Sequence, residues 1–440
     1  MAKIKEPFLF SWREVEAESD LDRLRLVFEY LPDEELMQKL EGHRGQGRND
    51  YPIRPVWNSI LAGIVYQHKS IESLRRELMR NGELRDLCGF NPFLGASAVP
   101  PPWVYTRFLK LLFEFAGEIE AIFHRLVDEL KELLPDLGKE LAADSKAIES
   151  VGKPSKKEEP DGRRDTDGNW GKKTYRGQRE DGTLWEKTVS WFGYKLHLIV
   201  DAVYELPLGY KLTKASVPDC PQLLPLVEEL DEKHHKIVED AEMLAADRGY
   251  DSEENNRGLY DDYGIKPLID IRAMWKDKEK RLVFNRVDNI VYDEFGKVYC
   301  ENIDTEEALA MAFSGFEKDR MTLKYQCPVK AYGIECSCAG ECEHAMKSVR
   351  VPLALDRRLF VPIARSSYKW RRLYKERTAV ERVNSRLDVN FGFEEHYIRG
   401  LEKMNLRVGL ALIVMLAMAK GHIVEGRKDL MRSLVKRKAA

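Results

Sequence analysis

The sequence has few cysteines and lacks both a long hydrophobic run and a secretion signal. Seven cysteines occur in 440 residues, and five of them lie between Cys300 and Cys342, unlike the disulfide framework of a secreted protein. The longest apolar run, residues 408–419, is shorter than the ~20 residues of a membrane-spanning helix. The N-terminus has no apolar centre or cleavage site. We therefore expect a cytoplasmic protein without a membrane span, and a buried helix at 408–419.

The sequence also lacks an excess of either charge. Its net charge of −3 argues against a protein that is basic throughout, as many nucleic-acid binders are. The cations are nevertheless concentrated in residues 347–386, where few acids accompany them, and in a tail at 426–440. A solvated helix surface is one interpretation of the first stretch. The shortage of acids favours the other interpretation, a track that contacts DNA phosphates.

Apolar periodicity predicts an α/β core with a helical region before it and an insertion within it. Residues 1–137 predict a helical domain, either a packing module or a unit for DNA binding or dimerisation. Strand and helix patterns alternate in 138–271, and helices follow in 346–425, which together predict a core with a mixed sheet. Residues 272–345 predict an inserted cysteine-rich β subdomain, in which EEALAMAFSG (306–315) has a helical pattern.

Two stretches of the core give more specific structural predictions. Residues 152–186 are rich in Gly, Lys, Asp and Arg, and this composition predicts a mobile loop. Residues 374–388 predict a single helix that packs through Val380, Val383 and Leu387, which share one face at helical spacing.

Three acids are candidates for one metal site. Asp144 and Asp247 each follow a short apolar strand, and Glu381 lies on the predicted helix at 374–388. Magnesium prefers oxygen ligands, and two such ions ~3.5–4 Å apart would activate a water or a 3′-hydroxyl for attack on phosphorus. The chain contains 74 acidic residues, so spacing alone favours the simpler interpretation that the two aspartates cap turns.

Other polar side chains lie near these acids in the sequence pattern. Tyr374 and Arg377 fall on the Glu381 face of the helix, where an arginine would hold a DNA phosphate by forked hydrogen bonds. An ordinary solvated helix surface is the alternative. His197 lies on a predicted strand at 194–201 and is a candidate neighbour of the metal site, although a lone histidine on a strand is more often structural.

A cluster of cysteines in the insertion predicts a second, structural metal site. Thiolate and imidazole ligands suit tetrahedral zinc, and such a site would stabilise a subdomain with little apolar sequence. Free thiols are the alternative, and the spacing does not select four ligands among the candidates. The candidates are Cys300, Cys327, Cys336, Cys338, Cys342 and His344.

Four sequence blocks resemble those of one enzyme family. They are LAADSKAIES around Asp144, WFGYKLHLIVDA at 191–202, LAADRGYDS around Asp247 and YKERTAVERVNSRL around Glu381. In this order they resemble the blocks of DDE transposases of the IS4/IS5 type, which bacterial insertion sequences encode. The resemblance implies a ribonuclease H-like core in which Asp144, Asp247 and Glu381 are the catalytic metal ligands.

The resemblance also implies DNA contacts and a reaction. The helix signature of the family is Tyr, Arg, Glu and Lys at fixed spacing, and Tyr374, Arg377 and Glu381 match it. Asp388 occupies the Lys position, so Lys375 or Arg386 is expected to substitute as a DNA contact.

The implied reaction is strand cleavage at the 3′ ends of an insertion sequence, followed by strand transfer into target DNA. The resemblance implies Mg²⁺ or Mn²⁺ as the cofactor, and a homodimer assembled on transposon-end and target DNA. An inactive or domesticated DNA-binding derivative is one alternative. A nuclease that does not join strands is the other.

Overall fold

Helices form the N-terminal part of the described chain. The computed structural model describes residues 20–45, 49–154, 164–179, 183–284, 289–302, 305, 307–337, 342 and 347–432. Its first helices are α1 (Asp20–Tyr30), α2 (Glu34–Arg44), α3 (Ile53–Val65), α4 (Ile71–Arg80), α5 (Gly82–Cys88), α6 (Pro102–Glu114) and α7 (Ala116–Leu133). Apolar side chains such as Leu24, Trp57 and Phe123 are fully buried. They share one hydrophobic core with the strands that follow, so the helical region packs directly on the sheet.

A mixed sheet lies at the centre of the described residues. The strands of this part of the chain are β1 (Glu140–Glu149), β2 (Lys153–Pro154), β3 (Arg164–Asp165), β4 (Asn169–Gln178), β5 (Leu184–Asp201), β6 (Pro207–Lys214), β7 (Met243–Ala246) and β8 (Lys266–Ile269). The sheet has the order β4–β5–β1–β7–β8, with β6 also paired to β5. β1, β7 and β8 run parallel, and β5 runs antiparallel to both β1 and β6. This arrangement is ribonuclease H-like, so the predicted fold class is confirmed.

The prediction of a mobile loop at 152–186 is wrong for the described part of that segment. β4 and the first half of β5 form a long hairpin that extends beyond β1. The ring of Trp191 lies across Gly171, and the ring of Trp185 lies across Gly177, where any Cβ would collide with it. Cross-strand packing and ladder hydrogen bonds therefore outweigh a polar, glycine-rich composition.

Two helices connect the strands of the central sheet. They are α8 (Leu223–Asp240) and α9 (Glu253–Asp261). α8 packs against β6 and α7, and α9 packs against β8.

The inserted region forms two small sheets around a second core. Its elements are β9 (Arg281–Leu282), β10 (Ile290–Tyr292), β11 (Val298–Glu301), β12 (Ala308–Ala310), β13 (Ala312–Glu317), β14 (Thr322–Gln326), α10 (Pro328–Tyr332) and β15 (Ser348–Pro352). The described part of EEALAMAFSG lies in β12 and β13 and not in a helix, because Phe313 packs into this core and β13 pairs with β14. β15 extends the small sheets past residue 345, the boundary that the sequence suggested.

The predicted helix at 374–388 is divided in the structure. α11 (Tyr368–Tyr374) is followed by a 3₁₀ turn at Lys375–Arg377, and α12 (Thr378–Phe391) begins after it. Val380, Val383 and Leu387 are fully buried, so the packed face is confirmed.

The predicted buried helix at 408–419 is confirmed as the centre of α13 (Leu401–Val424), where every residue is buried. α13 packs against α1, α3, α7 and β6. Among the described residues it is the one helix with the length and composition to cross a membrane. Of its apolar window, 78% is buried inside the protein, as in the core helix of a folded domain.

Candidate active site

Asp144 and Asp247 lie side by side on two neighbouring strands, Asp144 within β1 and Asp247 directly after β7. β1 and β7 are parallel, and their register pairs Ala142 with Ala245 and Ala143 with Ala246. Asp144 and Asp247 are the residues that follow these two alanine pairs, so their side chains point to the same face of the sheet. The structure thus brings together the two aspartates that the sequence singled out.

A tight turn holds Asp247. Its Oδ1 accepts a hydrogen bond of 2.6 Å from the backbone N–H of Gly249, at the start of the 3₁₀ turn Arg248–Tyr250. A Cβ at residue 249 would lie 2.5 Å from that oxygen, so any larger residue there would displace the Asp247 carboxylate. Asp247 therefore does cap a turn, as the simpler interpretation held, but the cap uses only one of its two oxygens.

The pKa of Asp144 shows how close the two carboxylates are. Burial, and next the negative charge of Asp247, raise the pKa of Asp144 to about 6. A hydrogen bond of 2.7 Å from the Ser145 N–H to Asp144 Oδ1 acts in the opposite direction. Two adjacent carboxylates that are costly to ionise together form an all-oxygen donor set, which suits a hard divalent cation.

Glu381 lies on α12, which packs against β1. Its carboxylate is 51% exposed and accepts a hydrogen bond of 2.6 Å from Nη1 of Arg377. In the part of the chain that the structure describes, no three His, Cys, Asp or Glu side chains are grouped closely enough to hold a metal ion. Glu381 therefore contacts Arg377 and is not grouped with the two aspartates.

Tyr374 and Arg377 lie together beside the acids. The Arg377 guanidinium is 5.9 Å from the centre of the Tyr374 ring, which stacks on Trp370 with centroids 4.5 Å apart. Burial, followed by the nearby charges of Asp270 and then Asp247, raises the pKa of Tyr374 to about 12, so its hydroxyl keeps its proton. The positive charge of Arg377 lowers the pKa of Asp144, which shows that this cation is close to the aspartate pair.

Asp388 pairs with a lysine from the sheet. Lys146 lies two residues after Asp144 on β1, on the same face, and its Nζ is 2.6 Å from Asp388 Oδ2 and 3.1 Å from Glu394 Oε1. The side chains of Lys146 and Asp388 are only 10% and 24% exposed. Asp388, which occupies the Lys position of the helix signature, thus links α12 to β1, the strand that carries Asp144. Local patterns do not predict this partner, because the two residues are 242 positions apart.

The two residues expected to substitute at that position differ in exposure. Lys375 is exposed on the turn before α12. Arg386 is 11% exposed, and its guanidinium donates to the backbone oxygen of Glu205 and lies 3.3 Å from Glu205 Oε2.

The positive charge of residues 347–386 is compensated more fully than the local sequence suggested, because acids from distant parts of the chain pair with its arginines. Arg350 bonds Glu317 at 2.7 Å, and Arg358 bonds the buried Asp251 at 2.6 Å. Arg357 pairs with Asp261. A continuous phosphate track along this whole stretch is therefore not what the structure presents.

His197 lies away from the aspartates. It pairs in register with Ser145, so its side chain points to the opposite face of the sheet from Asp144. It is 1% exposed, and its Nε2 is 3.0 Å from the hydroxyl oxygen of Thr213. Burial lowers its pKa to about 4, so the ring is neutral and structural.

One cation near the acids was missed from the sequence. The charge of Lys173, on β4, lowers the pKa of Asp144, so the hairpin brings this lysine near the aspartate pair. Lys173 lies in the glycine-rich stretch that predicts a loop, and no periodic signal marks it.

Three of the predicted zinc ligands gather around asparagine side chains. Asn289 Nδ2 lies 3.3 Å from Cys300 Sγ and 3.6 Å from Cys342 Sγ, and Asn302 Nδ2 lies 3.8 Å from Cys336 Sγ. Cys327 is buried. Cys338 and His344 lie outside the described residues.

A family model identifies the family of the chain. The family model described as Transposase DDE domain matches residues 138–417. Over 81 residues the chain is 41% identical to a putative transposase for insertion sequence element IS402 of Burkholderia cepacia. This match covers 18% of the chain and 37% of that relative's length. A cryo-EM structure of a piggyBac transposase synaptic complex with hairpin DNA is similar with a TM-score of 0.40 and 12% identity, over 94% of this chain and 79% of the other.

Proposed function

The chain belongs to the family of DDE transposases, and from this premise we propose that it cuts DNA strands at the ends of an insertion sequence and joins them to target DNA. The observation that carries this proposal is the pair of aspartates on adjacent parallel strands, with the Glu381 helix packed on the same sheet. The family uses divalent metal ions, and the adjacent carboxylates suit them.

We assign the metal site to Asp144, Asp247 and Glu381, with Mg²⁺ as the cofactor and Mn²⁺ as a substitute. When bound, the ions polarise the phosphate and lower the pKa of the attacking hydroxyl. Glu381 is suited to a change of partner because its bond to Arg377 is exposed, and an exposed ion pair of this kind contributes little stability.

The side chains around the acids would hold the DNA. Arg377, once released from Glu381, presents a forked donor to the phosphate beside the scissile bond. Tyr374 remains protonated and donates a hydrogen bond from a ring that Trp370 fixes by stacking. Lys375 is exposed on the same turn and adds a further phosphate contact. We retain Arg386 as a weaker candidate, because its guanidinium already contacts Glu205.

Strand transfer needs two DNA ends in one complex, so we propose at least a homodimer on DNA. The N-terminal helices would serve as the surface for dimerisation or DNA binding.

A structural zinc ion in the insertion is a separate proposal. Cys300 and Cys342 approach the same asparagine amide, which supports their being two of its ligands. Metal analysis of the purified protein should give about one zinc per chain. A Cys300→Ser variant that retains the same zinc content would remove Cys300 from the set.

The proposed reaction is tested with labelled DNA that carries the flanks of the coding region. We expect Mg²⁺-dependent nicking that exposes a 3′-hydroxyl, and joining of precut ends to a plasmid. Asp144→Asn should abolish both activities while DNA binding persists. Cutting without joining would identify a nuclease, and binding without either reaction would identify an inactive derivative.

A further inference from the structure

Three arginines converge on one buried carboxylate at the edge of α12. Glu205 lies in the turn between β5 and β6 and is 7% exposed. Its Oε1 is 2.6 Å from Arg382 Nε and 3.6 Å from Arg432 Nη1, and its Oε2 is 3.3 Å from Arg386 Nη2. Glu205 has a φ of 55°, which costs a residue with a Cβ some backbone strain. The turn thus places an acid where a glycine would fit more easily.

The cluster carries more positive charge than its acids neutralise. One carboxylate compensates one guanidinium. Asp201, a further acid near Arg432, is buried and accepts a backbone hydrogen bond of 2.7 Å from Gly138. A further cation, Lys428, lies 4.9 Å from the ring centre of Tyr204 in the same turn. Like charges that share a partly desolvated site repel one another, so the cluster favours an added anion.

The three arginines differ in their access to solvent. Arg386 is 11% exposed, and its buried Nε has no hydrogen-bond partner among the residues that the structure describes. Burial, together with the charges of Arg432 and Arg382, lowers the pKa of Arg386 to about 10. In contrast, Arg382 is 48% exposed and Arg432 is 44% exposed. The guanidinium groups of Arg382 and Arg432 are therefore open to solvent, whereas that of Arg386 is buried behind them. Forked donors of this kind fit a phosphate.

The location connects the cluster to the proposed chemistry. Arg382 follows Glu381 directly on α12, so the face that carries the cluster adjoins the face that carries Glu381. We propose that Arg382 and Arg432, supported by Arg386, bind a backbone phosphate of DNA next to the cleavage site. This inference rests on the proposed function, because it takes the bound polyanion to be the DNA substrate.

A purely structural role is the competing interpretation. Arg432 donates to the backbone oxygen of Val203, and Arg386 is 3.4 Å from the backbone oxygen of Arg432, so these side chains also fasten the segment after α13 to the turn. A structural role alone predicts a lower melting temperature for variants of the cluster, with no change in how salt affects DNA binding.

The test measures DNA binding against salt concentration without metal, in an Asp144→Asn background, by fluorescence anisotropy. We expect R382Q/R432Q to weaken binding to every DNA sequence and to lower the slope of log affinity against log salt by about 1, the effect of one lost phosphate contact. The control is R125Q/K236Q, which removes two exposed, ion-paired cations on α7 and α8. This control should leave the slope unchanged.

For a second variant, the proposal predicts a change in DNA affinity of the opposite sign. Glu205→Gln removes the acid that competes with DNA for the arginines, so it should bind DNA more tightly. An unchanged slope in folded R382Q/R432Q, or unchanged affinity in Glu205→Gln, would overturn the proposal. These assays need no catalysis, so wild-type protein that fails to cut DNA would count against the proposed function and leave the phosphate site standing.

Discussion

The two ion pairs of α12 differ in burial and in sequence separation. Near its start, Arg377 and Glu381 are four residues apart, with side chains 22% and 51% exposed. Two turns later, Asp388 pairs with Lys146 from β1, and these side chains are 24% and 10% exposed. The first pair is local and open to water, whereas the second joins the helix to the sheet.

This difference indicates a division of roles along one helix. An exposed pair contributes about 0.5 kcal/mol, so Glu381 exchanges its partner at little cost. A partly buried pair is expensive to break, because the remaining charge stays desolvated. Lys146 and Asp388 therefore fix the position of α12, while the exposed pair leaves Glu381 able to exchange Arg377 for the proposed metal ion.

The largest effect should come from Glu381. Glu381→Gln removes a proposed metal ligand, and single-turnover cleavage should fall about 10³-fold, whereas the urea midpoint should hardly move. Glu376→Gln, which changes an acid on the preceding 3₁₀ turn, is the matched control and should keep its activity. A Glu381→Gln protein that cuts at the normal rate would remove this residue from the site.

The next effect concerns Asp144, which lies between the two pairs. Its pKa of about 6 in the folded, metal-free protein exceeds the unfolded value of ~3.9, so its ionisation opposes folding increasingly above about pH 4 and fully above about pH 6. Asp144→Asn should raise the free energy of unfolding in EDTA by roughly 3 kcal/mol at about pH 8, and by roughly half of that at about pH 5.

The check on Asp144 is urea unfolding of both proteins at the two pH values. An equal gain in the free energy of unfolding at both pH values would show that ionisation of Asp144 does not oppose folding. Wild-type protein should also need more Mg²⁺ for activity as the pH falls through 6, because protonated Asp144 binds the cation poorly.

A smaller effect should appear at the sheet end of α12. A double-mutant cycle with Lys146→Met and Asp388→Leu should give a coupling of about 2 kcal/mol in the free energy of unfolding. Glu394 also contacts Lys146, so Glu394→Gln should be measured as a third arm. A coupling near zero would mean that the pair does not anchor the helix.

The smallest effect should come from the same cycle at the other pair. Arg377→Gln and Glu381→Gln should couple by no more than about 0.5 kcal/mol. A coupling as large as that of Lys146 and Asp388 would contradict the idea that Glu381 is easily released.

Local patterns predicted the elements that position the site. A short apolar strand placed Asp247 at the end of β7, and helical spacing identified the face of Val380, Val383 and Leu387. The strand before Asp144 was also predicted, but it continues through Asp144 to Glu149. These signals persist in the fold because burial of apolar side chains determines which face of each element is covered.

Such local patterns do not predict pairing between residues that are distant in sequence. The partner of Asp388 and the acids that pair with Arg350 and Arg358 are all far from them in sequence. The hairpin of β4 and β5 was also missed, because tryptophan packing over glycine depends on the neighbouring strand. The convergence of three arginines on Glu205 arises in the same way, from a turn, a helix and the segment after α13.

The position of α13 in the chain has a consequence for synthesis. Among the described residues, every other helix and strand of the main core precedes α13 in the sequence, and α13 packs against helices from the N-terminal region as well as against β6. While the ribosome is still making the inserted region, the early helices have no partner for the surface that α13 later covers. We expect these helices and the sheet to reach their final packing only after residues 401–424 emerge, so the nascent chain acquires its active site late.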